Sequence, residues 1–349
     1  MNRRTLLAGA AVSGLGLGLA GCAGTRERPS GDSGNSAGSD GAESGALPVT
    51  IEHQFGSTTI EQAPQRIVCV GLKEQDDLLA LGLVPVGATK WLDFGVLGSW
   101  AKDKAAQDGL DISDVTELNQ DDGIQFEKIA GLQPDLILAL YAGLEKADYD
   151  KLSQLAPVVA APKGLVAYGI GWQDQATTVG RAVGRPQKMQ RLVDAVKQSF
   201  TATTEQHPEF AGKSGLVATL YEGIYVYGPQ DPRSRLIAEL GFELPSDLAK
   251  VTGQKSFGAS ISTEKIDLID TDLLIWLVSP SNGDFKKLQA NKLYTKLRVA
   301  KQARAVTIKA ASELDNAFNF CTVLSIPAVL KELTPKLTAA VDGDPKTTA

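Results

Sequence analysis

Residues 127–140 read EKIAGLQPDLILAL, and residues 264–277 read EKIDLIDTDLLIWL. Laid over one another without a gap, the two stretches share Glu-Lys-Ile, an Asp eight residues after the Glu, the Leu that follows it, and the final Leu. Each describes a charged helix start leading into a strand that opens on Asp135 or Asp272 and then stays apolar. A strand apolar along its whole length is buried on both faces, as in a parallel sheet covered by helices. One helix–strand unit used twice predicts two lobes of the same build.

The flanking sequence extends both copies. Upstream, VTIEHQFGSTTIE (49–61) alternates around Gly56 as a hairpin would. RIVCVG (66–71) is a buried-strand run, EQDDLLALG (74–82) a helix closed by Gly82, and VPVGATK (84–90) the next strand. A helix over Phe126–Leu132, the strand DLILAL, the helix KADYDKLSQLA and the strand PVVAA follow. In the second half GLVATLYEGIYVYG supplies strands, SRLIAELG a helix closed by Gly241, and a helix starts at Thr263. The strand DLLIWLV, the helix NKLYTKL and the strand ARAVTI complete it. Between the halves Met189, Leu192, Val193, Val196 and Phe200 fall at helical spacing behind Pro186, a residue suited to a first helical turn. That helix spans roughly 30 Å at ~1.5 Å per residue. The expected fold is α/β: two Rossmann-like lobes, each a mostly parallel sheet flanked by helices, joined by a single long α-helix, with a cleft between them. The lobes are assigned to 48–185 and 208–341, the linking helix to 186–207, and a tail to 342–349.

The ends carry different information. Arg3 and Arg4 precede an apolar, glycine-rich stretch of about 16 residues that finishes in Leu19-Ala20-Gly21-Cys22. It is shorter than the ~20 residues a membrane-spanning helix needs. A cationic start, a short apolar core and small residues at the cut make residues 1–21 a signal peptide. The cysteine directly after them resembles the lipid acceptor of bacterial lipoproteins, and the paired arginines resemble a twin-arginine export signal. Residues 22–47 are then a lipidated Cys22 and a flexible Gly/Ser-rich tether, on the extracytoplasmic face of the cell membrane. A GxGxxG match at 16–21 and a GxSxG match at 34–38 lack the strand and helix that would position a phosphate or a nucleophile.

Net charge is −6 for the chain and −8 once the leader with Arg3 and Arg4 is removed, which argues against nucleic acid as a partner. Cys69 and Cys321 are read as two separate buried thiols. His53 and His207 are solitary, too few for a zinc or manganese centre and poorly placed for a hydrolase.

Taken together, PQRIVCVGLKEQDDLLALGLVPVGATKW, FEKIAGLQPDLILAL, YDKLSQLAPVV, YVYGPQDPRSRLIAELGF, ISTEKIDLIDTDLLIWLV and LYTKLRVAKQARAVTI resemble, in order and spacing, the periplasmic-binding-protein family that serves ferric siderophore, haem and vitamin B12 importers. The lipoprotein start and PRSRLIAELGF are most similar to the actinobacterial iron-siderophore type. The resemblance implies a monomeric binding protein rather than an enzyme, with no intrinsic cofactor. Its ligand would be an Fe³⁺–siderophore complex, delivered to an ABC permease dimer and its ATPase. It also implies one permease-docking glutamate per lobe, which falls on Glu127 and Glu264. Haem or vitamin B12 is the alternative cargo within the family, and an extracytoplasmic hydrolase the alternative from another class.

Ligands of open parallel sheets bind beyond the carboxyl ends of the strands. Those positions are Lys73 and Glu74, Trp91, Tyr141, and the loop residues Tyr168 and Trp172 in the first lobe. The second lobe offers Tyr225, Tyr227, Arg233, Arg235 and Phe257, then Ser279, Asn282, Phe318 and Phe320. A chelate whose iron is already saturated needs no metal ligands from the protein. It needs aromatic walls for its body and cations for its residual negative charge, the work expected of the tyrosines, tryptophans and arginines.

Overall fold

The computed structural model describes residues 41–91, 94–253, 256–344 and 346–347. The signal peptide, Cys22 and the tether up to residue 40 lie outside the described residues. The hairpin β1 (Val49–His53) and β2 (Gly56–Ile60) is antiparallel as its alternation predicts, and Thr58 Oγ1 donates to the Val158 carbonyl to fasten it to the first lobe.

That lobe runs β3 (Ile67–Cys69), α1 (Glu74–Ala80), β4 (Gly87–Thr89), α2 (Ser99–Asp108), β5 (Thr116–Leu118), α3 (Phe126–Gly131), β6 (Leu136–Ala139), α4 (Lys146–Leu152), β7 (Val158–Ala160) and α5 (Trp172–Ala182). Helix α6 (Pro186–Gln206) leads into the second lobe. There follow β8 (Gly215–Leu220), β9 (Ile224–Tyr227), α7 (Pro232–Glu239), α8 (Ser246–Thr252), β10 (Gly258–Ile261), β11 (Leu273–Leu277), α9 (Gly283–Ala290), α10 (Arg298–Lys301), β12 (Ala305–Ile308), α11 (Glu313–Phe320) and α12 (Ser325–Val341).

The two sheets have the same strand order, β5-β4-β3-β6-β7 and β10-β9-β8-β11-β12. All pairings in the first are parallel, whereas β9 is antiparallel to both β8 and β10. The difference is local. Where α1 separates β3 from β4, the second lobe has only a tight turn with Glu222 (φ 49°) and Gly223 (φ 114°) in the left-handed region, so β9 folds straight back.

The repeated unit differs between its copies. The first gives helix α3 and then β6. The expected helix from Thr263 is instead a 3₁₀ segment, Thr263–Ile269, broken at Lys265 and pinned at its end where the Asp270 carboxylate accepts the Val299 amide. The helix expected over 291–297 is likewise a 3₁₀ turn at Tyr294–Lys296, with α9 and α10 on either side. The shared aspartate does the same work in both lobes. Asp135 accepts the amides of Gln65 and Arg66, which lead into β3, and Asp272 accepts the amide and hydroxyl of Ser214, which lead into β8. Each fixes where the neighbouring central strand starts.

Met189, Val193, Val196 and Phe200 form the buried stripe of α6, as their spacing predicts. The folded part starts earlier than the tether reading had it. Glu43 takes the Gln187 and Lys188 amides at the first turn of α6, and Leu47 packs beside Gly184. The chain crosses between lobes once, along α6. The C-terminal α12 then returns to lie against α6 and α2, so one apolar core runs through both lobes.

At the joint, every residue of α1 is buried, three of them acids. Glu74 Oε1 accepts the Leu140 and Tyr141 amides at 2.6 and 2.8 Å, and Oε2 the Lys73 amide. Asp76 Oδ2 accepts Trp100 Nε1 from α2 and Thr322 Oγ1 from the turn ahead of α12, each at 2.6 Å, and Asp77 accepts Gln175 from α5. Burial pushes all three carboxyls up, Asp76 to about 6.

The Glu74 carboxylate occupies the space over Gly71, where a Cβ would fall 1.9 Å from Oε1. Gly71→Ala must therefore expel a buried carboxylate from its amides. A loss of roughly 3 kcal/mol or more is expected in urea unfolding; a near-wild-type midpoint would refute this packing.

Asp76 supplies a pH test. Folded, it keeps its proton to about pH 6; unfolded, it releases it near the ordinary value of 3.8. Between those values the unfolded chain binds fewer protons, so the stability owed to protonated Asp76 is lost as pH rises through that window. Buried Glu74 and Asp77 act in the same sense, and Lys73, lowered by burial, acts oppositely at alkaline pH. Asp76→Asn keeps an acceptor for Trp100 and Thr322. It should flatten the decline between pH 4 and 7 by roughly 2–3 kcal/mol, read from chemical denaturation at several pH values. An unchanged slope would show that Asp76 is ionised throughout.

Candidate functional site

Leu72 follows β3 and Tyr141 follows β6, the two neighbouring strands whose connections leave in opposite directions, where doubly wound sheets open a crevice. A cavity of about 530 Å³ opens there. Its first wall is Leu72, Trp91, Tyr141 and Tyr168. The second is Thr219, Leu220 and Tyr221 from the end of β8, Tyr225 and Tyr227 from the outward face of β9, Arg233 from α7, and Phe257 before β10.

The aromatic groups support one another. Trp91 stacks on Tyr141 at 6.1 Å and rests on buried Phe320 at 5.8 Å, and Tyr168 meets Tyr141 edge-on at 5.4 Å. Tyr225 and Tyr227 are two apart on one strand and therefore share a face; Phe257 meets Tyr227 edge-on. Burial raises the phenols of Tyr141, Tyr225 and Tyr227, which stay protonated and can donate.

Arg233 lies with its guanidinium carbon 3.7 Å from the Tyr227 ring centre, gripped by the buried Asp231 carboxylate at 2.6 Å from Nη2 and 2.9 Å from Nε. Asp231 also caps α7 by accepting the Arg233 and Ser234 amides. A second chamber of about 570 Å³ adjoins across Trp91, lined by Phe94, Ser99 and Lys102 on one side and by Glu313, Asp315, Asn316 and Asn319 on the other. Ser99 Oγ donates to Glu313 there, a tie between lobes.

The structure thus brings Trp91, Tyr141, Tyr227, Arg233 and Phe257 to one cavity, with Tyr168 and Tyr225. Lys73, expected in the cleft, is fully buried, its Nζ 3.8 Å from the Tyr141 ring centre, so Tyr141 covers it; Glu74 is beneath the same layer. Trp172 opens α5, donates to Glu239 and stacks on Phe200, away from the cavity. Arg235 comes two residues after Arg233, about 200° round α7 and so on its far side. It donates to the Gly169 and Pro229 carbonyls, joining the lobes instead of facing the cavity. Asn282 is exposed and caps α9, and Phe318 is core. Tyr221, missed in the sequence reading, is 68 % exposed at the mouth. Its position directly after β8 obeys the rule that found the others.

Glu127 and Glu264 are both exposed, each near the start of the helical segment ahead of β6 or β11. His53 is buried against Thr58 and Tyr149, and His207 is held by Glu209 and Thr338. Cys69 and Cys321 are buried free thiols, both raised by burial. Among the described residues no group of three His, Cys, Asp or Glu could hold a metal ion.

Comparison with known proteins gives a consistent result. The periplasmic binding protein family model matches residues 67–311. A periplasmic solute-binding protein of Mycobacterium smegmatis superposes with a TM-score of 0.71 at 35 % identity, over 84 % of this chain and 98 % of that one. PiaA of Streptococcus pneumoniae in complex with ferrichrome superposes at 0.75 with 26 % identity, over 85 % and 99 %. In sequence, the probable siderophore-binding lipoprotein YfiY of Bacillus subtilis is 25 % identical over 278 residues, 76 % of this chain and 80 % of its own. With two like-ordered sheets, one long crossover helix and an aromatic cleft between the lobes, the chain belongs to the periplasmic binding protein family.

Proposed function

We propose that this protein captures a ferric siderophore in the cavity between its lobes and delivers it to an ABC importer from the extracytoplasmic face of the membrane. One observation carries the reading: a 530 Å³ cavity walled by seven aromatic side chains, with no set of metal ligands among the described residues. Such a site suits a bulky chelate that brings its own iron coordination, held by stacking and phenol hydrogen bonds. The ferrichrome-bound and siderophore-binding relatives support it. Binding without turnover is what the family supports. Trp91 is both wall and reporter. Ferric chelates should quench the tryptophan fluorescence of the full chain saturably, and Trp91→Ala should weaken binding roughly 10- to 100-fold. Saturable binding that Trp91→Ala leaves untouched would remove the cavity from the mechanism.

Delivery requires attachment and docking. Cys22 is the proposed lipid acceptor, and Glu127 and Glu264 the proposed contacts for the two permease subunits. Their places in the repeat match a two-fold pair of receptors. In cells, Glu127→Arg with Glu264→Arg should abolish uptake while the purified protein binds as before. Cys22→Ser should release it from membranes or leave it unprocessed. Undiminished uptake in the double variant, or normal membrane fractionation of Cys22→Ser, would overturn the respective assignment.

A further inference from the structure

We infer that the preferred cargo is a ferric chelate without net negative charge, of the trihydroxamate class; this rests on the siderophore reading above and narrows it. The ground is the charge of the site. Arg233 is the one charged side chain among the described residues that line the tyrosine cavity. It is already neutralised: Asp231, fully buried, takes Nη2 and Nε, and Asn319 Oδ1 takes Nη1. One face of the guanidinium is covered by Tyr227. The other cation that the strand-end rule placed there, Lys73, is sealed beneath Tyr141. Across Trp91, the second chamber sets Glu313 and Asp315 against a single Lys102. Summed over both chambers, the described side chains offer a chelate no surplus positive charge.

That separates the ligand classes by elementary electrostatics. Three hydroxamates, each singly negative, cancel Fe³⁺; three catecholates, each doubly negative, leave a trianion. Moving a trianion from water into a half-enclosed site without countercharge incurs a large desolvation penalty, which none of the described side chains on these walls offsets. A neutral chelate incurs little, and gains stacking area and phenol donors. Five of the chain's seven tyrosines, Tyr141, Tyr168, Tyr221, Tyr225 and Tyr227, stand at this cavity and supply both.

The full chain would be titrated with ferrichrome, ferric enterobactin and ferric citrate, reading tryptophan fluorescence. Ferrichrome should bind roughly 100-fold or more tightly than either anionic chelate. Equal or tighter binding of ferric enterobactin or ferric citrate overturns the charge argument and leaves the siderophore reading standing. Binding of none of the three overturns that reading, and this inference with it. Asp231→Asn tests the cause directly, because its side-chain carbonyl still accepts the amides of α7 while Arg233 loses its counterion. Affinity for ferric enterobactin should rise about tenfold, with ferrichrome changed less than about threefold. No gain for the anion would show that Asp231 does not set the charge of the cavity.

Discussion

Three amide groups at the ends of two central strands point at one place, and Glu74 fills it. In related doubly wound sheets, that crevice is where an anionic ligand would meet backbone N–H groups. Here the protein uses its own carboxylate, seated over Gly71 and bonded to the amides of Lys73, Leu140 and Tyr141. Much else depends on this. With the switch point occupied from inside, α1 can be wholly buried and Tyr141 is held over Lys73. The cavity opens further out, at the aromatic layer. Asp76 then extends the same buried network to Thr322, so the floor of the cleft is also a junction between lobes.

The architecture was legible because it follows from apolar pattern. The repeated EKI and Asp-initiated runs gave both lobes, and the stripe from Met189 to Phe200 gave α6 nearly to the residue. What pattern could not convey was geometry set by single contacts. The Thr263 segment has helical composition, yet the Asp270–Val299 bond and the break at Lys265 draw it into 3₁₀ form. Glu43 sits in a run of Gly, Ser and Asp that reads as tether, and only its docking on the first turn of α6 shows otherwise.

The site was readable to the same depth. Strand-end position brought Trp91, Tyr141, Tyr227 and Arg233 to the cavity, since the rule concerns backbone topology, whereas Phe257, which precedes β10, reaches the wall because β10 pairs with β9 beside Tyr227. The rule could not say which way each side chain turns. Lys73 and Arg235 satisfy the rule and serve structure instead, one under an aromatic lid and one on backbone carbonyls. Nor does sequence alone tell a free arginine from a paired one: Asp231 is two residues from Arg233, a spacing many exposed pairs share, and only its burial makes the pair a closed unit.

The return of α12 alongside α6 has a mechanical meaning. A lone connecting rod bends equally in every direction, but two rods fastened side by side form a strap, stiff within its own plane and compliant to torsion. Relative movement of the lobes within the plane of the strap is therefore the stiff direction, while twist about its long axis and bending across its face are the soft ones.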